Sequence, residues 1–186
     1  MDPQKRHRLI HRRNAAKRQR QFDQILATRS ALFQYFKAAA IPYKVVYPTT
    51  PNDLHHPSQC VDWLTQHFSF HSYGLIDWTP ATHTQSQPAD AFTDSPSITT
   101  LIHNWIAHHH LGNPDVIIVA ANAHVPDFKL RLSHAADHAG EIFSQEFWDT
   151  WLFDPDADWC IEYFHEGRLT FGRSHLMSKA PNPRQD

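Results

Sequence analysis

WCIEYFHEGRLTFG (residues 159–172) is the stretch of this chain that says most about its fold. Two runs rich in apolar and aromatic residues flank a short polar segment that ends at Gly167. Because glycine readily adopts the positive φ of a tight turn, the pattern predicts a β-hairpin. Strands joined by so short a turn must be antiparallel, so the pattern argues against a doubly wound parallel sheet.

A second hairpin is predicted upstream, between DVIIVAA (115–121) and FKLRL (128–132). The first run is continuously apolar, as expected of a central strand that is buried on both faces. The second run alternates apolar and basic residues, as expected of a strand with one solvent-facing side. We therefore expect an α+β fold, a mostly antiparallel sheet with helices packed on it and preceded by a long N-terminal helix.

The remaining elements follow from apolar spacing and from turn residues. Residues 79–97 are rich in Thr, Gln, Pro, Ser and Asp, and we interpret them as a mobile surface loop. The other predicted elements are one helix over 14–40, a strand over 41–48, a helix that begins at 57 or 58, a strand over 72–78, and helices over 96–110 and 141–153.

Charge is distributed very unevenly along the chain. The formal net charge of the 186 residues is −2, yet residues 1–20 hold eight Lys or Arg and a single Asp. Residues 21–186 therefore carry a large excess of acid. We divide the chain into a basic arm that is free to move (1–20), a single globular α+β domain (21–176) and a frayed tail (177–186).

Several classes of protein are disfavoured by what the sequence lacks. The sequence has no apolar run of about 18 residues and no signal-peptide core, which favours a cytoplasmic location and no membrane partner. Cys60 and Cys160 lack a CxxC neighbour, so we expect reduced thiols. There is no GxSxG, no phosphate-cradling loop and only five glycines, which favours a binding role over a catalytic one.

The densest signal for binding is a mixture of acidic and aromatic residues in 137–166. This segment contains nine carboxylates and no Lys or Arg. Aromatic anchors surrounded by carboxylates suit a basic protein partner. The candidate partner-binding residues are Glu146, Trp148, Asp149, Trp151, Asp154, Asp156, Asp158, Glu162 and Glu166.

The closing WCIEYFHEGRLTFGR (159–173) resembles sequences of the cytoplasmic immunity proteins that bacteria carry against secreted toxins. The resemblance is limited to this C-terminal hairpin. It implies a noncatalytic inhibitor that covers a basic surface of a cognate toxin with carboxylates and aromatic anchors, and that needs no cofactor.

The basic arm supports a different function, a regulatory protein associated with nucleic acid. Lysine and arginine side chains bind phosphates, but the arm has no interleaved aromatic residue for base stacking, so such binding would be nonspecific. The candidate residues are Arg6, Arg8, Arg12, Arg13, Lys17, Arg18 and Arg20.

The sixteen histidines support a third function, a histidine- or metal-dependent enzyme. On one continuous helix, His134, His138 and Glu141 share a face and could bind zinc. The last hairpin offers Glu162, His165 and Glu166 for acid–base chemistry. We interpret the His108–His110 run as a solvated turn.

Overall fold

The fold is α+β, as expected, and is built on one antiparallel sheet. The computed structural model describes residues 3–50, 53, 58–72, 74–90, 94–122, 125–145 and 148–175. The described helices are α1 (Pro3–Arg29), α2 (Ala31–Ala38), α3 (Gln59–His67), α4 (Ser95–His108), α5 (Leu132–Asp137) and α6 (Ala139–Gln145). The described strands are β1 (Lys44–Tyr47), β2 (Thr82–Pro88), β3 (Asp115–Ala120), β4 (Asp127–Arg131), β5 (Thr150–Phe153), β6 (Trp159–Phe164) and β7 (Arg168–Arg173).

The strands are ordered β1-β4-β3-β5-β6-β7-β2, and each is antiparallel to its neighbours. Both predicted hairpins are confirmed, since Ile118 pairs with Phe128 across β3 and β4 and Cys160 pairs with Gly172 across β6 and β7. Gly167 has a φ of +91° in the second turn, the conformation for which glycine was expected there.

Buried side chains cover both faces of the sheet. Neighbouring residues of β5 belong to different clusters, Leu152 to the larger and Phe153 to the smaller. Because successive side chains of a strand point to opposite faces, the two clusters lie on opposite sides of the sheet. Helices α1, α2, α4, α5 and α6 contribute to the larger cluster, and α3 contributes Leu64 to the smaller one.

Two helix predictions are wrong. The expected helix over 14–40 is interrupted at Ser30, whose extended backbone begins α2 and whose Oγ accepts a hydrogen bond from Phe33 N at 3.1 Å. The expected helix over 141–153 is divided between α6 and β5. Because both faces of β5 are buried, its apolar run lacks the alternation that distinguishes a strand from a buried helix.

The two predictions for residues 72–97 also fail. The expected surface loop over 79–97 contains β2, which is paired with β7 at the edge of the sheet and keeps most of its side chains exposed. An edge strand whose side chains are exposed to solvent needs no apolar pattern, so the polar composition of this segment did not exclude a strand. In place of the expected strand over 72–78, Ile76 forms an isolated bridge to Phe70.

The basic arm is continuous with the helix that enters the core. Within the described residues, 3–20 belong to α1, and further along this helix Phe22 and Leu26 are buried. Residues 177–186, expected to be a frayed tail, lie outside the described residues. None of the helices in the described part of the chain combines the length and apolar character that a bilayer crossing requires.

A buried carboxylate joins the sheet to the segment that follows α3. The Glu162 side chain accepts hydrogen bonds from Ile76 N at 3.1 Å, Trp78 Nε1 at 2.7 Å and Trp151 Nε1 at 2.9 Å. Burial raises the pKa of Glu162, while these three donors act in the opposite direction. Three N–H donors around one carboxylate favour the ionised form, which can accept all of them.

Glu162→Gln should lower the free energy of unfolding by about 1–3 kcal/mol at neutral pH. The amide nitrogen must replace one carboxylate oxygen, which leaves an N–H group facing a buried N–H donor. Removal of the charge offsets part of this loss but leaves the mismatch of donors. Denaturant unfolding measures the difference, with the exposed Glu166→Gln as the control. Equal stability of the two variants would contradict the proposed role of the carboxylate.

Candidate functional site

An acidic groove lies where the β6–β7 turn, the end of β2 and the start of α4 meet. Its volume is about 590 Å³. The described residues that line it include the carboxylates Asp90, Asp94 and Glu166, and none of them is Lys or Arg. We call this region the acidic groove. Its sign of charge makes a basic group the natural occupant.

Backbone contacts hold the walls of the groove together. Ala89 N donates to Gly167 O at 2.9 Å, which ties the end of β2 to the β6–β7 turn. On the other wall, Asp94 is the N-cap of α4 and accepts a hydrogen bond from Ser97 N at 3.3 Å. Pro96 occupies the first turn of α4, where its missing N–H is not needed. Asp94 N also donates to Asp90 O at 2.8 Å, so hydrogen bonds connect the three segments that carry the carboxylates.

An exposed aromatic residue is adjacent in the chain to a carboxylate that is bonded to the groove lining. Asp149 accepts hydrogen bonds from the backbone N and the Nδ1 of His165, at 3.0 and 2.7 Å, and His165 lines the groove. Trp148, the residue before Asp149, has a large apolar side chain that is 47% exposed. The next cation along the chain, Arg168, does not line the groove, and its guanidinium carbon lies 5.3 Å from the centre of the Phe164 ring.

The sheet separates the predicted partner-binding residues into three groups. Trp148, Asp149 and Glu166 lie at the end of β5 and β6 that borders the groove. The second group is buried and consists of Trp151, Asp154 and Glu162. The third group follows β5 at the opposite end of the sheet and consists of Asp156, which is exposed, and Asp158, which is bonded to Arg173. Glu146 lies outside the described residues.

These candidate positions therefore do not form one continuous surface. Asp149 and Asp154 are five residues apart along extended chain, which places their backbones roughly 17 Å from each other. Glu162 was expected at the surface because charged residues usually lie there, but its three hydrogen bonds compensate for its burial. The remaining candidate surface is the groove end, enlarged by Asp90 and Asp94.

Asp90 and Asp94 were not predicted as site residues. They are distant in sequence from 137–166. The pairing of β2 with β7 brings Asp90 close to the β6–β7 turn, and Asp94 N is bonded to Asp90 O. The available signal was the Asp94-Ser95-Pro96 sequence, which is typical of a helix start, and it located α4 without indicating what lies against it.

The predicted zinc site is not assembled. His134 lies in α5, while Glu141 lies in α6 and accepts a hydrogen bond from Ser95 Oγ at 3.2 Å. His138 lies between the two helices, and its Nδ1 is 2.7 Å from Tyr35 Oη. The continuous helix that would place the three side chains on one face is absent. No group of three or more potential metal ligands occurs among the described residues.

Part of the predicted nucleic-acid surface can be located. Arg13, Lys17 and Arg20 are exposed along α1, and their spacing places them on one face of the helix. The described part of the structure does not include the side chains of Arg6, Arg8, Arg12 and Arg18.

A partly buried Ser–Cys–Asp cluster has the residue types of a catalytic site but not its electrostatics. Ser58 Oγ caps α3 by accepting a hydrogen bond from Cys60 N at 3.0 Å, and it donates a hydrogen bond to Asp127 Oδ2. Burial raises the pKa of Cys60 to about 12, so the nucleophilic thiolate is suppressed. Burial also raises the pKa of Asp127, to about 6. We interpret the cluster as a structural link between α3 and β4. The thiols of Cys60 and Cys160 are both free, as expected.

The chain matches no protein-family model and no curated protein at a significant level. Function is therefore inferred from the groove, the exposed side chains beside it and the charges around them.

Asp127→Asn should change how stability depends on pH. A carboxyl whose folded-state pKa is raised from 3.8 to about 6 contributes stability below pH 3.8 that is lost as the pH rises through 6. From pH 4 to pH 7 the unfolding free energy of Asp127→Asn should therefore increase relative to that of the parent, by up to roughly 3 kcal/mol.

The matched control is Asp77→Asn. Hydrogen bonds from Thr79 lower the pKa of Asp77, so its contribution is present above pH 3.8 and is lost only as the pH falls below that value. Between pH 4 and pH 7 the difference in stability between Asp77→Asn and the parent should therefore stay nearly constant. Urea unfolding across this pH range measures both. Parallel pH profiles for Asp127→Asn and the parent would contradict the assignment.

Proposed function

We propose that this protein is a noncatalytic binding protein whose acidic groove receives a basic surface of a partner protein. The observation that carries the proposal is the groove itself, with three carboxylates in its lining and the exposed Trp148 beside it. Together with the resemblance of residues 159–173, this chemistry fits an immunity protein that neutralises a secreted bacterial toxin in the cytoplasm.

The charges favour a lysine or arginine of the partner as the occupant. Three carboxylates converge on a concave surface, where the field of each is reinforced by the others. A basic side chain that enters the groove gains several charged acceptors at once. Trp148 can then cover apolar surface of the partner at the edge, which slows dissociation.

The same charges oppose the hydrolytic alternative. His165 and Asp149 form a hydrogen-bonded pair, and Ser97 lines the same groove, so a nucleophile and a base are both present. However, no hydrogen bond joins Ser97 to His165 among the bonds of the described residues. Acyl transfer develops negative charge on an oxygen, and Asp90, Asp94 and Glu166 would destabilise that charge.

Glu166→Lys should weaken binding of the cognate toxin mainly by slowing association, and the effect should be greatest at low salt. Trp148→Ala should mainly speed dissociation. The probe is the product of the gene beside this one, measured by surface plasmon resonance at low and high salt, together with rescue of growth on co-expression.

The matched control for this experiment is Asp156→Lys. It makes the same change of charge at an exposed carboxylate at the other end of β5. Equal loss of association for the two lysine variants would show that net charge, and not the groove, governs binding. Tight binding that is unchanged by Glu166→Lys and by Trp148→Ala would contradict the proposal.

A second function, contact with nucleic acid, is favoured by the basic face of α1. Arg13, Lys17 and Arg20 are exposed at spacings of four and three residues, so they can contact neighbouring phosphates together. Their replacement by Gln should weaken binding of duplex DNA equally for different sequences. The slope of log K against log salt should fall by about 3, as expected when three phosphate contacts are lost.

Fluorescence anisotropy at several salt concentrations measures this slope. The control replaces Lys44, Lys129 and Arg131 by Gln. These residues lie on β1 and β4, so the replacement removes the same charge from another surface. If both triple variants lose affinity equally, the basic face of α1 is not the binding site.

A further inference from the structure

A second concave site lies at the end of α4 farthest from the acidic groove. Its volume is about 390 Å³, and its described lining consists of His83, Thr84, Gln85, His108, His109, His110 and Arg173. We call this region the histidine cleft. Four imidazoles and a guanidinium are gathered there, and no carboxylate is part of the described lining.

Three elements bring these groups together. The run His108–His110 closes α4, where the backbone N–H groups of His109 and His110 cap the carbonyls of Trp105 and Ala107. His83 enters from β2, at an irregularity in the pairing with β7 that turns it out of the ladder. Arg173 enters from the end of β7. The residues are adjacent only in the folded chain.

Fixed contacts position the cleft. The ring of His109 stacks on Phe171 with centroids 4.0 Å apart, and its Nε2 is buried without a hydrogen-bond partner among the described atoms. Arg173 donates from Nη2 to His109 O at 3.3 Å and from Nη1 to Asp158. A guanidinium has five N–H donors, so these two bonds leave further donors for a ligand.

We propose that the histidine cleft binds a tetrahedral oxyanion, a sulfate or phosphate group, and that it binds more tightly as the pH falls from 8 to 5.5. Arg173 supplies a permanent cation with planar donors, the group best suited to bind such an anion. The histidines add N–H donors when neutral and positive charge when protonated.

The pH dependence follows from the groups that face the cleft. Asp158 balances the charge of Arg173, so at high pH the cleft has little net charge. Burial lowers the pKa of His109, and His108, Arg173, His83 and His110 lower it further. A bound anion offsets the repulsion among the positive charges of the cleft and therefore favours protonation of its histidines. By linkage, protonation must then favour the anion.

The test uses sulfate, whose charge is constant in this pH range, so that any change in affinity reports the protein. Titration of the ¹⁵N-labelled full-length protein at constant ionic strength should shift amide signals around Arg173 and His109. The dissociation constant should rise about tenfold or more between about pH 5.5 and about pH 8, where histidine loses its charge. Inorganic phosphate at the lower pH distinguishes a phosphate-selective site from a general oxyanion site, and binding of either ion supports the proposal.

Two variants and two controls make the result specific. Arg173→Gln should abolish sulfate binding, and the double variant His83→Asn, His108→Gln should weaken sulfate binding at the lower pH and so reduce the pH dependence. The double variant changes only exposed side chains, so it keeps the test valid if Arg173→Gln destabilises the fold. Arg168→Gln at the other end of β7 and His103→Gln earlier in α4 should bind as the parent does.

Three outcomes would overturn the proposal. The first is an absence of sulfate-induced shifts at the cleft at the lower pH. The second is unchanged affinity in both cleft variants. The third is stoichiometric zinc binding at the higher pH without sulfate binding at the lower pH, because a metal requires neutral imidazoles and shows the opposite pH dependence. None of these depends on the partner proposed for the acidic groove.

Discussion

The carboxylate of Glu162 is the constraint around which the centre of the molecule is organised. It lies in a strand that is buried on both faces, where an ionised group is tolerated only if its oxygens are matched by donors. Two indoles and a backbone amide supply them, from β5 and from the segment that follows α3. This segment can approach because Gly172 has no side chain: a Cβ there would lie 2.5 Å from Trp78 Cζ3. One charge, three donors and one glycine therefore fix how the chain covers the smaller cluster.

The sequence predicted those parts of the fold that depend on local pattern. The β6–β7 hairpin was recognisable because strand, turn glycine and strand lie within 14 residues, and α4 because its cap and apolar spacing are adjacent. The predictions failed where the surroundings of a residue come from distant parts of the chain. The donors Ile76 and Trp78 are 86 and 84 residues from Glu162, so nothing near Glu162 indicated that a glutamate would be buried. Likewise β2 is polar because it lies at an edge, which only its pairing with β7 reveals.

The two candidate sites share the same supporting elements and differ in charge for a reason visible in the sequence. Helix α4 and the β6–β7 hairpin each run from the acidic groove to the histidine cleft. No Lys or Arg occurs from residue 45 to 128, so the ionisable groups that this part of the chain supplies are carboxylates in the groove and histidines in the cleft. The cationic character of the cleft therefore comes from Arg173 and from imidazoles. The groove is lined by carboxylates, whereas the cleft combines a guanidinium with imidazoles.

Occupancy of one site should have little electrostatic effect on the other. The 14 residues of α4 span roughly 20 Å, which exceeds twice the Debye length of about 8 Å at physiological ionic strength. The charge of a partner in the acidic groove is therefore largely screened at the cleft. Coupling between the sites would need a mechanical route, such as a shift of α4 against the sheet. Ile98, Ile102 and Trp105 of this helix are buried in the larger cluster, and a close-packed core resists such a shift. The fold thus favours independent action of the site proposed for a basic partner and the site proposed for an oxyanion.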